Sequence, residues 1–189
     1  SPYDETLVID CDYFVMTNVL DGVWGSKNDF MITKYYSDIS NDTKNDITKI
    51  SNTSIDMYWA TILYFRKSEF SKTLFKLVDI IKNNWQWYYI RYSCNVKLYR
   101  NDHTFSIALH IITNGSNDTV PELPMHRLMN SFDTDKIFRI DGPDNILMLT
   151  AMNKKFQNMV RLQQSDLHIM NKQSIMNHID NFFEYGDCK

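Results

Sequence analysis

Two carboxylates one residue apart, Asp10 and Asp12, follow directly on the apolar run Leu7-Val8-Ile9. A strand would deliver such a pair to a sheet edge, and strand alternation would point both to the same side. Two converging carboxylates suit a hard divalent cation, which takes oxygen ligands and can also hold a diphosphate. A second segment bearing on this chemistry lies far downstream, Asp166-Leu167-His168-Ile169-Met170-Asn171-Lys172. A neutral His168 imidazole would complete a metal shell begun by the two aspartates. Lys172 would then meet a phosphate at a helix start, where free amides also favour anions. The plainer readings are a solvated acidic loop and a histidine that is packed or on the surface.

A third group is Tyr99-Arg100-Asn101-Asp102-His103-Thr104-Phe105-Ser106. Asn101 or Asp102 reads as a helix cap that satisfies free amides. The other is then available to face a cleft. Asp102, with Arg100 as its ion-pair partner, would orient a hydroxyl nucleophile or stabilise developing positive charge. Trp59, and the cluster Trp85, Trp87, Tyr88 and Tyr89, are either core or a platform for ligand. Alternate residues of a strand face opposite ways, so one face can pack while the other meets ligand.

These residues need elements to hold them. Residues 5–9 read as a buried strand, 13–28 as a loop with a short helix, and 29–34 as a second strand. Residues 37–54 are polar and nearly free of aromatics, a surface loop. Residues 57–65 read as a central strand. Ser68 caps a helix whose Phe70, Leu74, Leu77, Val78 and Ile81 recur at helical spacing. Residues 85–99, aromatic and β-branched, read as one or two strands with a bend near 93–95. A second helix follows Asn101-Asp102, burying Phe105, Ala108, Leu109 and Ile112, and ends at Asn114-Gly115. Pro121 and Pro124 bracket an extended stretch. Residues 137–140 and 146–151 are strands around the turn Asp141-Gly142-Pro143. The last helix, near 171–185, points Ile175, Ile179, Phe182 and Phe183 inward. The mixed order of strands and helices indicates an α/β fold, with residues 1–189 forming one domain.

Composition narrows the function. At 43% hydrophobic and 14% aromatic the chain is globular and not disordered. A net charge of −3 argues against a protein built to coat nucleic acid. No apolar run approaches the roughly 20 residues needed to span a bilayer. Cys11, Cys94 and Cys188 lie far apart without metal-type spacing, which suggests free thiols in a reducing, cytoplasmic compartment. The opening Ser1-Pro2, with the Asp10 strand arriving at once, suggests a fragment.

Taken in order, the segments resemble nucleotide-sugar-dependent glycosyltransferases of the GT-A type, especially uncharacterised members from phages and related viruses. The resemblance rests on Ser1 through Asp12, Tyr58-Trp59-Ala60-Thr61, Tyr64-Phe65-Arg66-Lys67-Ser68, Arg100-Asn101-Asp102 with Ser106-Ile107-Ala108-Leu109-His110, and Asp166-Leu167-His168 through Lys172. It implies a GT-A-like mixed sheet flanked by helices, without the N-terminal segment that holds the nucleotide. It implies manganese or magnesium on Asp10, Asp12 and His168, bridging the donor's phosphates, with Lys172 stabilising the departing diphosphate. Asp10, Lys172, Trp59, Arg100 and Asn101 are the expected substrate contacts. Asp102 matches the acidic residue such enzymes place near donor sugar and acceptor, a general base in inverting enzymes and a positioning group in retaining ones. The expected partners are a nucleotide-sugar donor and an acceptor that is a glycan, a protein or a modified DNA base, with no membrane, and a separate N-terminal segment. In a virus the compartment would be the host cytoplasm. Two other readings stay open: a phosphohydrolase of the haloacid dehalogenase type, with Asp10 as nucleophile, and a non-catalytic interaction module.

Overall fold

Trp59–Arg66, apolar along most of its length, forms the middle strand of a three-stranded sheet in the computed structural model. The structure describes residues 2–40, 46–116, 119–142, 145–152 and 156–181, with the backbone alone at 46, 152, 156 and 157. The chain is mixed α/β and divides into two compact units, each drawn from separate stretches of sequence. The first comprises Ser1–Ile9, Leu20–Tyr35 and Asp46–Arg127; the second comprises Asp10–Val19, Tyr36–Asn45 and Leu128–Lys189.

The first unit holds the two-residue strand β5 (Asp46–Ile47) and a sheet in which β6 (Trp59–Arg66) is flanked by β1 (Glu5–Ile9) and β3 (Phe30–Thr33), both antiparallel to it. A central strand has neighbours on both edges and is covered on its faces, which explains why residues 61–64 are all buried. β1, at the edge, is only half-buried, and Val8 is exposed. The expectation of a buried opening strand is therefore corrected to a half-buried edge strand.

Ser68 caps α1 (Glu69–Asn83), its hydroxyl accepting the Ser71 N–H at 3.1 Å. Leu74 and Ile81 on the expected apolar face are fully buried. Burying one such side chain contributes about 1.5–3 kcal/mol. α3 (Asn101–Ile112) packs against α1 and β6, and its residues 103–109 are buried without a break. Gly115, at φ +80°, closes α3 by donating its N–H to His110 O at 2.8 Å.

The stretch after α1 departs from expectation. Residues 85–91 are not a strand but helix α2 (Trp85–Arg91). Trp85, Tyr88, Tyr89 and Tyr92 follow helical spacing and all pack on the core of this unit. That spacing outweighs the β preference of aromatic side chains, which reflects packing more than backbone. The anticipated bend is present at Ser93, whose φ is +50°.

The second unit holds β2 (Tyr13–Phe14), β11 (Leu167–Ile169), β7 (Leu128–Ser131) and, from Tyr36 on, β4 (Tyr35–Asp38), side by side in that order. β11 runs antiparallel to β2 and parallel to β7, and β7 runs parallel to β4, so this sheet is mixed. Beside it in sequence, β8 (Lys136–Ile140), β9 (Asn145–Met152) and β10 (Phe156–Gln163) form an antiparallel meander. The expected hairpin is β8–β9; its turn residues Pro143 and Asp144 lie outside the described residues. Leu167 and Ile169 are fully buried in the core of this unit with Ile137, Ile146 and Met148. Because strand neighbours alternate, His168 between them points to the opposite face.

Two further expectations change. The polar stretch 37–54 is not simply a surface loop: Ser37 and Asp38 close β4, and Ser37, Ile39, Ile50 and Ser51 are buried. Residues 41–45 lie outside the description. The expected last helix is interrupted: α4 (Lys172–Met176), with Ile175 on the core, is followed by a turn at 177–178 and by helix again at 179–181. Ile179 is half-buried, while Phe182 and Phe183 lie outside the described residues. Of the thiols, Cys11 is exposed and Cys94 buried, and both are free. Burial pushes the Cys94 thiol up to about 11. Cys188 is outside the described residues. Among the described residues, no helix is long and apolar enough to cross a membrane.

Candidate metal centre

β1 ends at Ile9, so Asp10 and Asp12 do not sit on a strand. They occupy a tight turn leading into β2, closed by the Tyr13 N–H donating to Asp10 O at 3.1 Å. The turn, not strand alternation, brings their carboxylates to one side. Asp12 O in turn accepts the Ile169 N–H at 2.9 Å, which fastens the turn to β11. That bond and the pairing of His168 with Tyr13 bring the histidine to the acidic pair.

The resulting cluster is small. One ligand atom each from Asp10, Asp12 and His168 lies within 4.8 Å of the others. Ligands on opposite sides of a hard cation, with bonds of about 2.1–2.5 Å, stand about 4.2–5.0 Å apart, so the spread has the scale of one coordination sphere. His168 Nε2 is 3.3 Å from Asp12 Oδ1, and their side chains are 12% and 15% exposed. Lys172 Nζ lies 3.8 Å from Asp12 Oδ2 on a side chain that is 74% exposed. Two carboxylates and an imidazole match Mn²⁺ or Mg²⁺ in charge and mostly in ligand hardness, and the nitrogen favours Mn²⁺ of the two.

The other residues of the downstream segment serve architecture. Asp166 is buried, and its Oδ1 accepts the N–H groups of Met16 and Thr17, both at 2.7 Å. It thereby clamps the segment after β2 to the approach of β11. Burial, reinforced by the neighbouring Asp166 carboxylate, pushes the Tyr13 phenol well above its ordinary range. Asn171 caps α4 by accepting the Ser174 N–H at 2.9 Å, while its amide donates to Asp133 O and Asp135 O. Asp135, itself buried, accepts from the Phe132 and Ala151 N–H groups at 2.8 and 3.1 Å. Burial raises its carboxyl above the usual range, against the lowering effect of those two amides. The helix that begins at Lys172 has five residues, too short for its amides to form an anion site, so the expected phosphate seat at a helix start is reduced to the Lys172 ammonium.

Sequence reasoning passed over Asn130. It is buried in β7 and paired in register with His168, and its Oδ1 lies 2.8 Å from His168 Nδ1. Its signal was a single amide in the short run Leu128-Met129-Asn130-Ser131, which lacks the β-branched residues that mark a strand.

Trp59, Arg100, Asn101 and Asp102 belong to the first unit, while Asp10, Asp12, His168 and Lys172 belong to the second. Trp59 packs on the core of its unit. Asn101 opens α3 and accepts a hydrogen bond from the Tyr99 hydroxyl at 3.1 Å. Asp102 Oδ1 accepts the Ala60 N–H at 2.9 Å, and its Oδ2 accepts from Arg100 at 2.8 Å. Ser106 completes this joint, its hydroxyl accepting the Tyr58 N–H at 2.8 Å and donating to Asp102 O at 2.6 Å. The chain matches no family model, no curated protein and no solved structure in comparisons with each.

Proposed function

We propose that this chain is a metal-dependent glycosyltransferase of the GT-A kind, hexosyltransferase-like, that moves a sugar from a nucleoside diphosphate donor to an acceptor hydroxyl or amine. The observation that carries the reading is the meeting of Asp10, Asp12 and His168 within 4.8 Å. Those three residues would hold manganese or magnesium. When bound, the cation supplies charge neutralisation for a diphosphate. Lys172, exposed and 3.8 Å from Asp12, offers a second positive charge to the leaving group. The mixed sheet that carries His168 agrees with a GT-A-like core.

Transfer breaks the bond between the anomeric carbon and a phosphate oxygen and forms one to the acceptor, whose proton needs a base. The resemblance assigns that carboxylate, or the group that positions substrate, to Asp102. Trp59, Arg100 and Asn101 carry over as substrate contacts on the same ground. The acceptor is a glycan, a protein or a modified DNA base; the net charge of −3 disfavours DNA.

The test is incubation of the protein with a panel of sugar nucleotides and Mn²⁺, scoring released nucleoside diphosphate. Release of one diphosphate that stops with EDTA is expected. Turnover of a simple phosphoester with no sugar nucleotide consumed would move the assignment to a phosphohydrolase. The absence of both activities, with no stabilisation by Mn²⁺, would leave an interaction module.

A further inference from the structure

A histidine binds a cation only through a ring nitrogen that carries a lone pair, and the hydrogen bond at the other nitrogen decides which one that is. In the second unit, β7 and β11 run parallel with Asn130 and His168 in register, so their side chains stand together on one face. Asn130 is 2% exposed, and its Oδ1 lies 2.8 Å from His168 Nδ1. The far side of the ring, Nε2, is turned to Asp12 at 3.3 Å.

We infer that Asn130 is a positioning residue, which holds the proton of His168 on Nδ1 and presents the Nε2 lone pair to a divalent cation shared with Asp10 and Asp12. This role rests on the metal reading above. An amide oxygen only accepts, so a ring facing it must donate from Nδ1. Because Asn130 is neutral, the fixed charge of the cluster stays with two carboxylates, which balances a doubly charged ion. Asn130 is also held rigidly: Asp38 on β4 and His168 on β11 flank it in register, and its carbonyl accepts the Ile39 N–H at 2.9 Å. The ring is therefore oriented before any ion arrives, which lowers the cost of ordering on binding.

The test uses the full chain labelled with ¹⁵N. Long-range ¹H–¹⁵N correlation on the metal-free protein, above the histidine titration range, reads the tautomer of each ring; the signal missing from His168→Ala identifies His168. Mn²⁺ affinity is then measured by electron paramagnetic resonance. Wild type is expected to show Nδ1–H, Asn130→Asp to keep it because a carboxylate also accepts, and Asn130→Leu to lose it. Mn²⁺ affinity should fall about 10–100-fold in Asn130→Leu and be retained in Asn130→Asp. A wild-type ring protonated on Nε2 overturns the proposal without any variant, since the amide would then be presenting its NH₂. Unchanged Mn²⁺ affinity in Asn130→Leu overturns the positioning role and leaves the metal reading standing. A wild-type protein with Nδ1–H that binds no Mn²⁺ overturns the metal reading, and this role with it.

Discussion

Asp12 is gripped through its backbone and offered through its side chain. Its carbonyl accepts the Ile169 N–H, while its carboxylate lies 3.3 Å from His168 and 3.8 Å from Lys172. The two roles separate under mutation. Asp12→Asn keeps the backbone bond and the volume of the side chain, so the far-ultraviolet circular dichroism should match wild type. Mn²⁺ affinity should fall by more than about 100-fold, beyond the 10–100-fold typical of groups that only orient a ligand. His168→Ala should behave alike. Titration by electron paramagnetic resonance reads both variants, and wild-type affinity in either would remove that residue from the shell.

At the scale of the element, the first two turns of α3 are a joint before they are anything else. Asp102 and Ser106 accept the N–H groups of Ala60 and Tyr58, tying the start of β6 to the helix. Asp102→Ala leaves a part-buried amide without its acceptor and should cost about 1–3 kcal/mol in urea unfolding. Asp102→Asn retains an oxygen for Ala60 but loses the charge that pairs with Arg100 at 2.8 Å. If Asp102 takes part in transfer, the Asn variant should slow nucleoside diphosphate release far more than it weakens donor binding. Separate measurement of rate and donor affinity decides it, and an unchanged rate would confine Asp102 to the joint. α2 makes a related point about reading elements. Trp85, Tyr88, Tyr89 and Tyr92 carry a helical period, yet their residue types suggest strands; the period prevailed because it gives one wall that packs all four, half-buried, against the core.

Over the whole molecule, two buried titrating groups act in opposite senses. Burial lowers the pKa of His103 from 6.5, with Arg100 adding to the effect. Above about 6.5 the ring is neutral folded or unfolded; as pH falls below that value, the unfolded chain takes up a proton that the folded chain refuses. Stability of the first unit therefore declines from pH 6.5 down to the folded value, by up to about 1.4 kcal/mol per pH unit. Asp135 is raised above 3.8, so its contribution is present below that value and is lost as pH rises through the folded one. All four tryptophans lie in the first unit, and Trp85 stacks on His103 at 6.1 Å between ring centroids. Urea unfolding followed by tryptophan fluorescence should show this decline in wild type and a flatter profile in His103→Phe. Equal slopes in the two proteins would exclude His103 as its source. On the proposed metal reading, Mn²⁺ at a hundred times its dissociation constant should add about 2.7 kcal/mol of stability, and EDTA should remove it.

What could be read from the chain alone was whatever local spacing determines. Ser68 with the apolar positions Phe70 to Ile81 defines α1, Asn114-Gly115 ends α3, and the apolar stretches read at 57–65 and 146–151 are strands, over 59–66 and 145–152, because capping, helical period and apolar runs act over a few residues. The residue types Asp, Asp and His raised the possibility of a cation in the same way, through their own chemistry. Only the tertiary structure decided that they meet. β4, β7 and β11 are too short and too poor in β-branched residues to be legible as strands. They exist because each is paired with a partner distant in sequence, and Asn130 acquires its place beside His168 through that pairing alone. The acidic turn is local, but its fastening to β11 and the place of the Asn130 amide beside one ring nitrogen of His168 depend on contacts between remote segments, and no local pattern encodes those.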